Sequence, residues 1–378
     1  MQSAISVSRG GGVHQARNDC QARPVAILSP LRMRALTISG HGDLDRLELR
    51  DDLPVPEVVR DTDVRVRVHA GALNHLDLFV VGGLPSVTIT PPWIMGGDGA
   101  GIVEAVGSAV RTVSVGDHVT INAGISDRTC EYCQAGEQSL CIKFRLLGEH
   151  LPGTFAEYVV VPSTNVRAIP PTTSWPDAAA FTLATLTAYR MIVTRANVQP
   201  GEHVLIWGIG GGVSLASMRL AKRLGAHVWV TSSSEAKLAR ARQLGADELL
   251  NHRTTDVGRE VRARSGKRGV DVVIDNVGES TWQGSLTALG RAGRLVTCGA
   301  TSGPHVSVDA RRLFWNQWTI MGSTMGNDAE YDAVTELLRA GDLLPVVDTV
   351  YPIEESRQAF ERMRQAEQFG KIVIEIAR

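Results

Sequence analysis

Of the five cysteines in the chain, three stand at Cys130, Cys133 and Cys141, within twelve residues of one another. In a chain this large, such clustered thiols point to a metal site in a reducing compartment, read here as the cytoplasm, more than to a disulfide scaffold. Farther on, the strand-like run VLIWG leads directly into Gly208, Ile209, Gly210, Gly211, Gly212, Val213 and Ser214, and then into an amphipathic stretch. Glycines there allow a tight turn and let main-chain N–H groups approach a pyrophosphate, whose charge is favoured by the N-terminus of the helix that follows.

The elements that must hold these groups separate into two patterns. From Met33 to about Pro162, short β-branched runs such as VRVRVHA, GIVEAVG and FAEYVVV alternate with turn residues, the mark of a mostly antiparallel β unit. From Pro176, six strand-like runs alternate with helical ones, the mark of a doubly wound parallel sheet. After about Gly326 come a helix-like segment, DAEYDAVTELLRAG, and a late return, GKIVIEI. The division predicted is therefore residues 33–175 with 327–378 as one domain and 176–326 as a dinucleotide domain, preceded by a flexible extension, 1–32, that contains Cys20. Its arginine excess is transit-peptide-like, and its apolar run is too short for a secretory signal.

Composition excludes several classes. The 378 residues carry 39 Lys plus Arg against 40 Asp plus Glu, a net charge of −1, without the cationic excess that nucleic-acid binding exploits. No apolar run reaches the roughly 18 residues of a membrane span. Neither nucleic acid nor membrane is expected as a partner.

At the end of the strand after the glycine loop, dinucleotide sites selective for NAD usually place an acid. Here the residues are Thr231, Ser232, Ser233 and Ser234, followed by Glu235 and Lys237. Hydroxyls and a cation suit a 2′-phosphate, so NADP(H) is the expected cofactor; the same serines are also good helix caps. Asn276 and Gly299 close the fourth and fifth strands of the alternation and are expected to line the cofactor crevice. Cys298 reads as packing.

Taken together, PPWIMGGDGAGIVEAVG, VGDHV, the cysteine lobe, GTFAEYVVVP, AAAFTLATLTAY and the glycine loop resemble the medium-chain dehydrogenase/reductase superfamily from Met33 onward. The resemblance implies a GroES-like β domain joined to a Rossmann domain, and a homodimer or homotetramer. It places the catalytic zinc ligands of the alcohol dehydrogenases at Asn74, Gly97 and Leu183, none of which supplies a zinc-ligand atom, and that subfamily's proton relay at Leu76 and Phe79. The runs Asn74–Asp77 and Gly96–Gly99 are similar to the zinc-free quinone oxidoreductase and enoyl reductase branch. The resemblance also makes Asp127, Cys130, Cys133 and Cys141 the ligands of one structural zinc.

Hydride transfer to a carbonyl builds charge on oxygen, and a Lewis-acid metal stabilises it by several kcal/mol. Without that ion, a quinone or an α,β-unsaturated carbonyl, which spreads the charge, is the expected substrate. Asn74, His75 and Asp98 are the candidate polar groups at the reacting centre, Asn74 as an amide donor and His75 as pyrophosphate contact or proton donor. Asp77 is expected to pair with Lys371, His150 to lie in a loop near the cleft, and Gly322–Gly326 to bring backbone near the nicotinamide. The alternatives are an alcohol or aldehyde dehydrogenase and a non-catalytic nucleotide-binding partner protein.

Overall fold

In the computed structural model, residues 31–85 and 87–377 are described; the expectations for residues 1–30, including Cys20, fall outside them. The first strand, Arg32–Ile38, opens one residue earlier than Met33. It pairs antiparallel with Leu47–Pro54 and Trp93–Ile94.

A seven-stranded sheet follows, in the order Val166–Ala168, His118–Ile121, Asp98–Val106, Asp63–Ala72, Lys371–Glu375 and Val347–Pro352, with Tyr158–Pro162 also pairing to Asp63–Ala72. All its pairings are antiparallel except that of Val347–Pro352 with Lys371–Glu375. The C-terminal strand thus enters a sheet otherwise built mostly by the first half of the chain, with Val373 opposite Ala72.

The second large sheet has six parallel strands in the order Glu248–Asn251, His227–Ser232, His203–Ile206, Val270–Asp275, Leu289–Thr297 and Thr319–Gly322. Val204, Leu205, Ile206, Val228, Val230, Val272 and Val273 are fully buried, as strands covered by helices on both faces must be. The order reverses beside His203–Ile206, the switch point at which such sheets open a crevice.

Helix Trp175–Tyr189 leads from the first pattern into the second. Ser174 caps it by accepting from the Asp177 N–H at 3.2 Å, and Pro176 sits in its first turn, where no donor is lost. Its alanine- and threonine-rich sequence packs on strands from the seven-stranded sheet and on helix Gly212–Arg223. A wide turn of π-helix, Arg190–Arg195, continues it. Arg190, buried, donates to Glu137 Oε2 at 2.5 Å and to Glu330 Oε2 at 2.9 Å. Glu330 belongs to helix Asp328–Arg339, whose capping box it completes by accepting from the Asn327 N–H at 2.7 Å while donating its own N–H to Asn327 Oδ1 at 2.9 Å.

This contact yields a stability prediction. Arg190→Met leaves Glu330 buried without its cation and is expected to cost about 3–5 kcal/mol, read as a lowered urea midpoint. Arg264→Met, which removes an exposed pair with Glu260, is expected to cost less than about 1 kcal/mol.

Candidate functional site

Strand Asp63–Ala72 ends next to helix His75–Gly82, with Asn74 as its N-cap. Asp77 Oδ2 accepts the Asn74 main-chain N–H at 2.7 Å, which seats the first turn and leaves the Asn74 side chain free to reach inward. Its Nδ2 donates to Ala72 O at 3.3 Å and to Asp98 Oδ2 at 3.0 Å, and its Oδ1 accepts from Lys371 Nζ at 2.6 Å. Lys371 Nζ also donates to Asp98 Oδ2 at 2.9 Å, and Asp98 Oδ1 accepts the Leu183 N–H at 2.9 Å. Asp98 is fully buried and Lys371 is 4% exposed. Burying two opposite charges is tolerated only where each finds its partner and its remaining hydrogen bonds, and here both carboxylate oxygens are satisfied.

Three positions surround this network. Asn74 and Leu183 hydrogen-bond to Asp98 directly, and a side chain added at Gly97 would meet Leu183 Cδ1 at 3.3 Å. They bring together an amide already hydrogen-bonded, an aliphatic chain and no side chain at all, so the donor set does not fit a zinc ion.

Several sequence expectations change here. Lys371 pairs with Asp98 and not with Asp77, because Asp77 is committed to the helix cap; burial raises the Asp77 carboxyl to about 7. Asn74 has no N–H left for a ligand, since its amide is bonded to Ala72 and Asp98. Asp98 organises the site and has no free edge for proton transfer. His75 keeps its options: its ring makes no hydrogen bond among the described residues. It is open to solvent at its surface yet crowded by protein, and this desolvation together with the Lys371 charge holds its pKa below the usual histidine range, so it is neutral at pH 7.

The glycine loop lies alongside. Gly208 and Gly210 have φ of +67° and +122°, which L side chains rarely adopt. Helix Gly212–Arg223 starts without a side-chain cap, and the N–H groups of Gly212, Val213 and Ser214 meet no acceptor among the described residues. Such orphan donors at a helix start suit an anion. A Cβ at Gly212 would lie 2.7 Å from Lys371 Cδ, so the ion-pair network and the loop are in contact. Asn276 Nδ2 donates to Ser214 Oγ at 3.3 Å, and a Cβ at Gly299 would lie 2.9 Å from Asn276 O. Asn276 and Gly299 thus lie beside the first turn of the helix after the glycine loop.

The Lys237 side chain lies against the same loop: a Cβ at Gly210 would meet its Cδ at 3.1 Å and its Nζ at 3.5 Å. Lys237 Nζ donates to Ala366 O at 2.5 Å, and burial lowers its pKa. Ser234 caps the following helix by accepting the Lys237 N–H at 3.4 Å, and Ser232 Oγ accepts the Ser234 N–H at 3.1 Å. Ser233 is exposed and is the one serine of the three whose side chain makes no hydrogen bond among the described residues. Cys298 is packing: desolvation and the Asp275 charge push its thiol up to about 12.

In the cysteine lobe, ligand atoms of Asp127, Cys130, Cys133 and Cys141 lie within 4.8 Å of one another, the one such group of potential metal ligands among the described residues. Asp127 Oδ1 accepts the N–H groups of Thr129 and Cys130 at 2.9 and 3.0 Å, which holds its carboxyl well below the usual range. Cys141 Sγ accepts the N–H groups of Asp127 and Lys143, both at 3.3 Å. Two main-chain donors are aimed at that one sulfur, and the set of one carboxylate and three cysteine sulfurs fits a closed tetrahedral zinc site. Sequence reasoning overlooked two groups, Lys371 as the partner of Asp98 and the half-hidden Glu149. Register alone does not show which acid a strand lysine reaches, although GKIV beside a cofactor loop was a visible signal.

Residues 60–171 match the alcohol dehydrogenase GroES-like domain family, and residues 212–340 match the zinc-binding dehydrogenase family. The chain is 31% identical over 353 residues to the NAD-dependent alcohol dehydrogenase of Sulfolobus acidocaldarius, covering 91% of this chain and 100% of that one. It is 27% identical over 337 residues to the quinone oxidoreductase of Homo sapiens, covering 88% and 94%. The crystal structure of an NAD-dependent alcohol dehydrogenase superposes with a TM-score of 0.87 at 40% identity, covering 91% of this chain and 100% of that one. The two-sheet architecture, the glycine crevice and these likenesses together show that the chain belongs to the medium-chain dehydrogenase/reductase superfamily of oxidoreductases.

Proposed function

We propose that this oxidoreductase uses NADPH to reduce a quinone or an α,β-unsaturated carbonyl without a catalytic metal. The observation that carries the reading is the Lys371–Asp98–Asn74 network, in and around which Asn74, Gly97 and Leu183 offer no metal ligand. Gly208, Gly210, Gly211, Gly212 and Val213 would hold the pyrophosphate, with Asn276 and Gly299 along the crevice. Ser232, Ser233 and Ser234, with no acid at the strand end, favour the 2′-phosphorylated form; Lys237 would have to leave Ala366 to join them. When bound, the reduced nicotinamide supplies a hydride. His75, with its ring unbonded, offers a hydrogen bond to a substrate oxygen, while Leu76, its neighbour in the chain, and Leu183, beside Gly97, provide apolar surface.

A second reading, an alcohol or aldehyde dehydrogenase that works without the ion, is favoured by the 40% identity to a solved alcohol dehydrogenase. Asp127, Cys130, Cys133 and Cys141 would bind a structural zinc that closes the lobe and takes no part in the chemistry.

Three measurements test this. In NADPH oxidation assays, a quinone or an enal is expected to turn over at least about 100-fold faster than a saturated aldehyde, the equivalent of roughly 2.7 kcal/mol, with initial rates unchanged by chelator. Turnover of the saturated aldehyde alone, abolished by chelator, overturns the reading. Elemental analysis is expected to find about one zinc per chain, lost in Cys141→Ser; folded, active, zinc-free protein overturns the lobe assignment. Lys371→Met is expected to lose about 3–5 kcal/mol in urea unfolding, and adding Asp98→Asn is expected to restore part of that loss, as a double-mutant cycle will show.

A further inference from the structure

The turn between Leu146 and Leu151 is laid against the Gly96–Gly97 step. A Cβ at Gly148 would lie 2.7 Å from Gly96 O, and the Leu147 carbonyl lies 3.5 Å from the place a Gly97 Cβ would take. Trp93 Nε1 donates to Gly148 O at 2.9 Å and fixes the turn from outside. Glu149 follows directly in this turn, one residue beyond Gly148. Its side chain is only 14% exposed and makes no hydrogen bond among the described residues; the imidazole of His150 is next to it, with Nε2 3.8 Å from Glu149 Oε1.

The imidazole is itself oriented. His150 Nδ1 accepts the Leu146 N–H at 3.3 Å, so the hydrogen of the neutral ring sits on Nε2, the atom facing the carboxyl. Arg145 donates to His150 O at 2.6 Å and so spends its guanidinium on the turn's backbone. Burial raises the Glu149 pKa and the His150 charge opposes this. A half-buried acid with free oxygens, at the edge of a site whose Asn74 and Asp98 are already bonded, has the means to donate a proton.

We propose that Glu149, on the turn laid against Gly96 and Gly97, delivers the proton that completes reduction of an activated alkene. The step rests on the proposed reductase activity. Hydride from the reduced nicotinamide forms the new C–H bond at the β carbon, and two electrons pass with it, leaving the cofactor oxidised. The alkene π pair moves toward the carbonyl oxygen as an enolate. The Glu149 O–H bond then breaks, its proton forms the C–H bond at the α carbon, and the carboxylate takes a new proton from water on the open side of the turn, where His150 is 38% exposed.

The test uses the full chain and Glu149→Gln. In the nucleotide-free protein, carboxyl carbon NMR is expected to show a resonance titrating above the ordinary glutamate range that disappears in E149Q. With NADPH and an enal in D2O, the unsubstituted protein is expected to place deuterium on one face of the α carbon. E149Q, with its NADPH affinity intact, is expected to lose about 100-fold in kcat and to label both faces; Glu149→Asp is expected to recover facial selectivity at reduced rate. E149Q with unchanged rate, pH profile and one-face labelling overturns the proposal while leaving the reductase reading in place. Absence of enal turnover in the unsubstituted protein overturns the proposal together with the enone reading.

Discussion

The charge of Lys371 has to be neutralised inside the protein, and the way this is done sets the geometry around it. An ammonium that is 4% exposed survives only beside an anion with hydrogen bonds to spare. Asp98 meets that requirement at 2.9 Å, and it is itself held by Leu183 and Asn74. One ion pair thus joins the C-terminal strand, the strand Asp98–Val106, the start of helix His75–Gly82 and the long helix Trp175–Tyr189. Removing either charge would leave the other stranded where water cannot reach it.

The same C-terminal stretch also touches the cofactor loop. The Gly370 N–H donates to Gly210 O at 2.8 Å, Ala366 O accepts from Lys237, and Arg240 lies over the Phe369 ring at 4.2 Å. The strand that completes the seven-stranded sheet is therefore preceded by a segment seated on the crevice of the six-stranded one. A shift of the glycine loop would be felt at Lys371 and through it at Asn74 and Asp98, by direct packing of the Lys371 stem against Gly212. On the other side, Arg190 links the cysteine lobe, through Glu137, to helix Asp328–Arg339, through Glu330. A metal held in the lobe would stiffen that anchor at a distance from the reacting centre.

How much of this was legible follows from the range of each interaction. The parallel sheet was readable because apolar runs bounded by turns recur with helical stretches between them, and burial on both faces demands that composition. The glycine loop and the Cys130–Cys133–Cys141 spacing were readable because their geometry is local. The pairing of Lys371 was misread, since the choice between Asp77 and Asp98 depends on Asp77 being used by the cap of its own helix. The bond from Lys237 to Ala366 was equally out of sight, because its acceptor lies more than a hundred residues away. The π turn that begins at Arg190 left no mark in the periodicity, and the two glutamates that hold Arg190 come from distant segments.

What the amino-acid order determines by itself is the local chemistry: a phosphate-fitting turn, a set of metal-binding thiols with one carboxylate, and the missing ligands at Asn74, Gly97 and Leu183. These depend on residue type and on spacings of a few residues, which backbone geometry converts directly into structure. Which polar groups remain free to act was decided only by the tertiary fold. Asn74 and Asp98 are bonded to Lys371 and to each other, while the side chains of His75 and Glu149 make no hydrogen bond among the described residues. Hydrogen-bonding capacity is finite, and only the packed chain reveals where each donor and acceptor has already been spent.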